Sequence, residues 1–182
     1  MTHQHDLIVY YQLLRQHGLN DSHSGNGSVR EQDNYCITKT GACADTIKTD
    51  ELVHCAINSP PTNGASLDAL IHQTIYQTDN KYNAILHAHN PYTIALSLSC
   101  SVFQPVDFEG KLYFGDLRII ECDEKNYHDV MPKTISECLQ TQPVAIVKSH
   151  GVYAAAENLN LAYKWLCSLE QSAKIKWLSE RR

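Results

Sequence analysis

The feature that most constrains the fold is the stretch from Asn83 to Leu98, N-A-I-L-H-A-H-N-P-Y-T-I-A-L-S-L. Ala84, Ile85 and Leu86 form a short apolar run that ends in His87 and His89. Strand side chains alternate, so the two imidazoles leave the strand on the same face. Asn90 suits a helix N-cap and Pro91 the first helical position, with Ile94, Ala95 and Leu98 as the buried stripe that follows. A strand ending in His-x-His and passing straight into a capped helix holds two nitrogen ligands rigid and side by side. Two imidazoles are the usual core of a zinc or similar transition-metal site. His3 and His5 repeat the pattern. They sit at a terminus with no strand behind them, where disorder is expected, and are excluded from the site.

The rest of the chain reads as alternating elements. His5 to Gln16 has helical spacing at Leu7, Ile8, Tyr11 and Leu14 and stops at Gly18. Ser24 to Arg30 is turn-rich and opens into a strand, with Tyr35–Thr38 as its hairpin partner. The loop Lys39-Thr40-Gly41-Ala42 follows. Both loops expose backbone N–H groups with Asn, Ser and Thr side chains, which suits an anion, although Gly-Asn-Gly alone is an ordinary turn. Thr49–Ala56 holds a small apolar patch, and a Pro-Pro loop leads into a helix over Ser66–Tyr76. There Ser66 can cap, Asp68 suits the first turn, and Leu67, Leu70, Ile71, Thr74 and Ile75 share one face. Asp68 and His72, four residues apart, lie together on another face, by spacing a surface pair.

Beyond the His-x-His unit, Cys100–Gly110 reads as irregular, Lys111–Gly115 and Leu117–Glu121 as strands around a turn, and Pro132–Leu139 as a short helix. Pro143–Lys148 is a continuously apolar buried strand that delivers Ser149-His150-Gly151, with Val152–Ala155 as the next strand. Leu159 to Leu178 is a long amphipathic helix for core or subunit interface. At 182 residues the chain is long enough for one full domain and is read as a single domain over 1–182. A net charge of −5, with no basic run except Arg181-Arg182, argues against nucleic acid as partner. No stretch approaches the roughly 20 apolar residues of a membrane span. Seven cysteines without a C-x-x-C pair, and no apolar leader near Met1, point to reduced thiols in the cytoplasm.

In this order, Gly25-Asn-Gly-Ser-Val-Arg30, Ile37-Thr-Lys-Thr-Gly41, Ser66-Leu-Asp68 with His72, His87-Ala-His89 and Ser149-His-Gly151 give a chain that resembles the class II aldolase/adducin family over nearly its whole length. The resemblance implies a three-layer α/β/α sandwich with a mixed, largely antiparallel central sheet. It also implies a homotetramer with active sites between neighbouring subunits. It implies His87, His89 and His150 as ligands of Zn²⁺, or of Mn²⁺, Co²⁺ or Fe²⁺, and Asn26, Thr40, Gly41 and Ser66 as holders of a substrate phosphate. The implied reaction cleaves a short ketose 1-phosphate to dihydroxyacetone phosphate and an aldehyde, through an enediolate whose charge rests on the metal. Asp68 would move the proton on that enediolate. Two departures stand out: fuculose-1-phosphate aldolases carry a glutamate at the position of Asp68, and Leu67 replaces a second phosphate-binding serine. The aldolases also take a tyrosine from a neighbouring subunit as proton donor, for which Tyr113 is the candidate and Glu109 its competitor. Dehydration of methylthioribulose 1-phosphate uses the same three histidines and is the alternative reaction. A non-catalytic assembly domain of the adducin kind is the third reading.

Overall fold

A computed structural model describes residues 3–180; Arg181-Arg182 lie outside the described residues. Eight strands form one sheet in the order β3-β2-β1-β4-β8-β7-β6-β5. They are β1 (Asn26–Glu31), β2 (Asn34–Thr38), β3 (Leu52–Ala56), β4 (Ala84–Ala88), β5 (Val102–Phe103), β6 (Leu117–Ile120), β7 (Val144–Val147) and β8 (Gly151–Ala156). Only β6 and β7 run parallel; every other neighbouring pair is antiparallel. The helices are α1 (His3–Gln16), α2 (Ala69–Thr78), α3 (Pro91–Ser97), α4 (Phe108–Tyr113), α5 (Tyr127–Leu139) and α6 (Leu159–Ser179).

Alternation along the strands divides the core in two. Leu86, Ala88, Val144, Ile146, Val152 and Ala154 face a layer built on α1, α3 and α6. Ile85, Ala145, Val147, Tyr153 and Ala155 face α2 and α5 on the other side. The result is the α/β/α sandwich with a mixed, largely antiparallel sheet that the resemblance implied. β4, β7 and β8 are buried along their whole length, which is why they read as continuous apolar runs rather than alternating ones. Each large aliphatic side chain so enclosed contributes about 1.5–3 kcal/mol.

Several elements depart from the sequence reading. The chain is helical from His3, because Leu7, Ile8, Tyr11 and Leu14 dock on the sheet and carry the preceding turn with them. Thr49–Ala56 is a 3₁₀ turn followed by β3, paired with β2 from Leu52↔Thr38 to Ala56↔Asn34. Lys111–Gly115 is not a strand. Asp107 accepts a hydrogen bond from Gly110 N at 2.9 Å and caps α4, whose last residue is Tyr113. α5 begins at Tyr127, with Pro132 inside it; packing against α2 outweighs the single backbone hydrogen bond that proline removes. Asn90 takes the N-cap position of α3, but its side chain donates to Leu166 O at 2.9 Å and does not cap. Glu170 of α6 does so instead, accepting from Tyr92 N at 2.8 Å and from Thr93 N at 3.1 Å.

Candidate metal centre and its cavity

The register of the sheet assembles the site. β1 sets Asn26 opposite His87, and β8 sets Tyr153 opposite His87 from the other side. Cross-strand partners share a face, so Asn26 and Tyr153 flank His87 on the α2–α5 side, and the Tyr153 ring stacks on the imidazole at 4.0 Å and 9°. His89 follows at the end of β4, its backbone N–H held by Asn20 Oδ1 at 2.8 Å. His150 comes from the turn between β7 and β8. Ser149 adopts a φ of 60° there, a left-handed conformation unusual for a residue with a side chain, and its N–H donates to Ser97 Oγ at 3.1 Å. Gly151 makes the approach of β8 to β4 feasible. A Cβ there would stand 2.5 Å from Ala88 O and 2.9 Å from His87 Cε1.

Nitrogens of His87, His89 and His150 lie within 4.8 Å of one another. His87 Nδ1 is 3.1 Å from Val152 O and must donate to it, so Nε2 carries a lone pair; that atom faces His89 Nε2 at 3.1 Å. Burial pushes the pKa of all three imidazoles down, that of His87 well below the usual range. They are therefore neutral nitrogen donors that converge. One shared proton satisfies two of them at most, whereas a divalent cation takes all three lone pairs. The residues fit a metal of the zinc type. Glu31, Cys36 and His54 form a second cluster with suitable atoms. Its Glu31 and His54 already pair with each other and with Gln4, and burial raises the Cys36 thiol to about 12.

Asp68 is the N-cap of α2 but does not cap. Its carboxylate turns toward the sheet, accepting from Asn26 Nδ2 at 2.7 Å and lying 3.8 Å from His87 Nε2. Burial alone would raise its pKa, but His87 and the Asn26 amide outweigh that and hold it below the usual carboxylate value. His72 is fully buried, not a surface partner of Asp68, and its Nδ1 lies 2.7 Å from Ser28 Oγ. The buried face of α2 is that of Ile71, His72, Ile75 and Tyr76; Leu67 and Leu70 are exposed.

Asn26, Asp68, His87, His89 and His150 open on one cavity of about 560 Å³, which His72 and Tyr153 do not line. Asn26, Thr40, Gly41, Ser66 and Asp68 line one side and His87, His89 and His150 its floor. Asn26 spends its amide on Asp68, leaving the Thr40–Gly41 loop and Ser66 as the freer anion donors. Tyr113 is not among the lining residues; it packs on Trp165 of its own chain with ring centroids 5.9 Å apart. Sequence reasoning passed over Lys39, Tyr127 and His128, which also line the cavity. Lys39 sits inside the Thr-Lys-Thr-Gly motif and could have been found there. Tyr127 carries no local signal.

Residues 5–177 match the family model described as Class II Aldolase and Adducin N-terminal domain. The chain belongs to the class II aldolase and adducin family. Within the family it is similar to the L-fuculose phosphate aldolase of Methanocaldococcus jannaschii, 27% identical over 156 residues, covering 85% of this chain and 84% of that one. The crystal structure of L-fuculose-1-phosphate aldolase from Thermus thermophilus superposes with a TM-score of 0.90 at 25% identity, over 97% of this chain and 93% of that one. A 3-oxo-tetronate 4-phosphate decarboxylase of Cupriavidus necator is 30% identical over 96 residues, 52% of this chain and 44% of that one. With three converging imidazoles and a carboxylate beside them, this member has the parts of a metal-dependent class II aldolase-type lyase.

Proposed function

We propose that the protein cleaves a short ketose 1-phosphate to dihydroxyacetone phosphate and an aldehyde, with Zn²⁺ as its metal. The observation that carries this reading is the meeting, in one cavity, of the three imidazoles, the ionised Asp68 carboxylate and the Thr40–Gly41 and Ser66 donors. When bound, the cation supplies a Lewis acid for the keto and hydroxyl oxygens. Asp68 moves the proton on the ketose carbon next to the carbonyl. Thr40, Gly41 and Ser66, with Asn26 behind them and the Lys39 ammonium alongside, hold the phosphate and fix the reacting carbon within reach of Asp68. The relatives named L-fuculose phosphate aldolase support the phosphate and the aldol bond.

Tyr113 stands outside its own chain's cavity, so as a proton donor it acts on a neighbouring subunit. Nearby on the surface, Phe108 is 79% and Leu112 66% exposed, an apolar area suited to a second copy of the chain in a homotetramer. Seven free thiols support a cytoplasmic location.

The test is release of dihydroxyacetone phosphate from a panel of ketose 1-phosphates, with chelator and with Zn²⁺ restored. Release that follows the metal is the expected result and identifies the substrate. Metal-loaded protein that releases none refutes the aldolase reading and directs the assay to dehydration of methylthioribulose 1-phosphate and to decarboxylation, the reaction named for the Cupriavidus relative.

A further inference from the structure

A second group of metal-type donors stands on the α1 face of the sheet, away from the cavity. Cys36 in β2 lies opposite His54 in β3 and Val29 in β1. Glu31, two residues beyond Val29, points to that same face. A carboxylate oxygen of Glu31, the Cys36 sulfur and a ring nitrogen of His54 thus lie within 4.8 Å of one another. Gln4, in the first turn of α1, closes over them, its Nε2 3.3 Å from Glu31 Oε1 and 3.3 Å from His54 Nε2. None of these four residues lines the cavity of the three histidines.

The spacing suits a small cation. A tetrahedral ion of the zinc type, bonded to oxygen, nitrogen and sulfur, sets its ligand atoms about 3.3–3.6 Å apart. His54 Nδ1 and Glu31 Oε2 are already 3.2 Å apart, and the short Cys36 side chain rises from the strand between theirs. Carboxylate, imidazole and thiol together favour Zn²⁺ or Co²⁺ over Mg²⁺ or Ca²⁺. The His54 side chain is 56% exposed, which gives an ion a way in from solvent.

We propose that Glu31, Cys36 and His54 form a second metal site, for a divalent ion of the zinc class, which ties β1, β2 and β3 together beneath the start of α1. The site stands independently of the aldolase reading. The ion takes the place of the proton between His54 Nδ1 and Glu31 Oε2. The ring proton moves to Nε2 and is donated to Gln4, whose amide turns its oxygen toward it. Cys36 gives up its S–H proton to solvent and binds as thiolate, and water fills the fourth position. The negative charge of Glu31 adds to burial in pushing the Cys36 thiol up to about 12, and a cation offsets that charge. Displacing this proton still makes the site weaker at neutral pH than the three neutral imidazoles, so it fills after them.

The test is titration of the full chain, stripped of metal, with Co²⁺. The three histidines supply no sulfur, so a thiolate-to-cobalt charge-transfer band in the near ultraviolet reports the second site alone. The first equivalent is expected to bind without this band and the second to bring it in. In His150→Ala, which disables the histidine site, the band is expected from the first equivalent. Cys36→Ser and His54→Ala are each expected to abolish it and to lower bound cobalt by about one ion per chain. The exposed position of His54 keeps the test informative if Cys36→Ser, in the core, folds poorly. Absence of the band from the wild-type chain in excess cobalt overturns the site. A band that survives either variant overturns it too, because it then belongs to another of the seven thiols or to a different set of ligands.

Discussion

Asp68 is one methylene shorter than the glutamate that the family resemblance implies at its position. It stands on the loop side of the first turn of α2, not within the helix, which brings Oδ2 to 3.8 Å from His87 Nε2. Asn26 then fixes the carboxylate in that direction at 2.7 Å. Removing the charge while keeping the shape separates its role from that of the ligands. Asp68→Asn should retain zinc and lose turnover about 10²–10⁴-fold, the range of a general acid–base contribution. His150→Ala should lose both. Metal analysis beside steady-state kinetics checks the pair, and full activity in Asp68→Asn would remove this residue from the chemistry.

At the level of elements, the tie between α2 and β1 is polar and buried. Ser28 Oγ lies 2.7 Å from both His72 Nδ1 and the Tyr76 hydroxyl, and none of these side chains reaches solvent. Burial holds the His72 pKa down at about 4, only partly offset by Asp68. Between its ordinary value of 6.5 and about 4, the unfolded chain binds this proton and the folded chain does not. The stabilisation is therefore complete above pH 6.5 and is lost as pH falls toward 4. A shift of this size amounts to about 3 kcal/mol. Urea midpoints measured from pH 7 to pH 4.5 should fall steadily in the wild-type protein and less in His72→Gln. Equal slopes would show that other groups control the acid limb.

For the whole molecule, a run of exposed apolar side chains lies on the α3–β5–α4 side. Leu98, Val102 and Val106 precede Phe108 and Leu112 in the same run of chain, all of them exposed. In the homotetramer proposed above, covering this face would bring Tyr113 to a neighbouring cavity. Phe108→Asp places a charge in that contact, and light scattering after gel filtration should show smaller species with turnover reduced. A wild-type protein that is monomeric at assay concentration and fully active would dismiss the inter-subunit site. Among the described residues no helix is long and apolar enough to cross a membrane.

The local signals were strong where a residue's neighbours in sequence are also its neighbours in space. His87-Ala-His89 at a strand end, Ser149-His150-Gly151 after an apolar strand, and the apolar stripes of α1 and α6 could all be read because their periods of 2 and 3.6 are fixed by the backbone. The sequence alone thus determined most of the strands and helices and the imidazole pair. Its likeness to the family supplied the layered architecture, the third ligand and the carboxylate. Tertiary structure decided what depends on register and on helix packing. The caps illustrate this: Asn90 has the residue type for a cap, yet Glu170, far along the chain, takes that role because α6 crosses the start of α3. α4 replaced a strand because Asp107 caps it and its glycine packs close to Ser172 of α6. The Tyr127 and Tyr153 hydroxyls, 2.8 Å apart, tie the start of α5 to the central strand β8. No spacing in the chain encodes this contact, because the two hydroxyls meet only when α5 packs over β8.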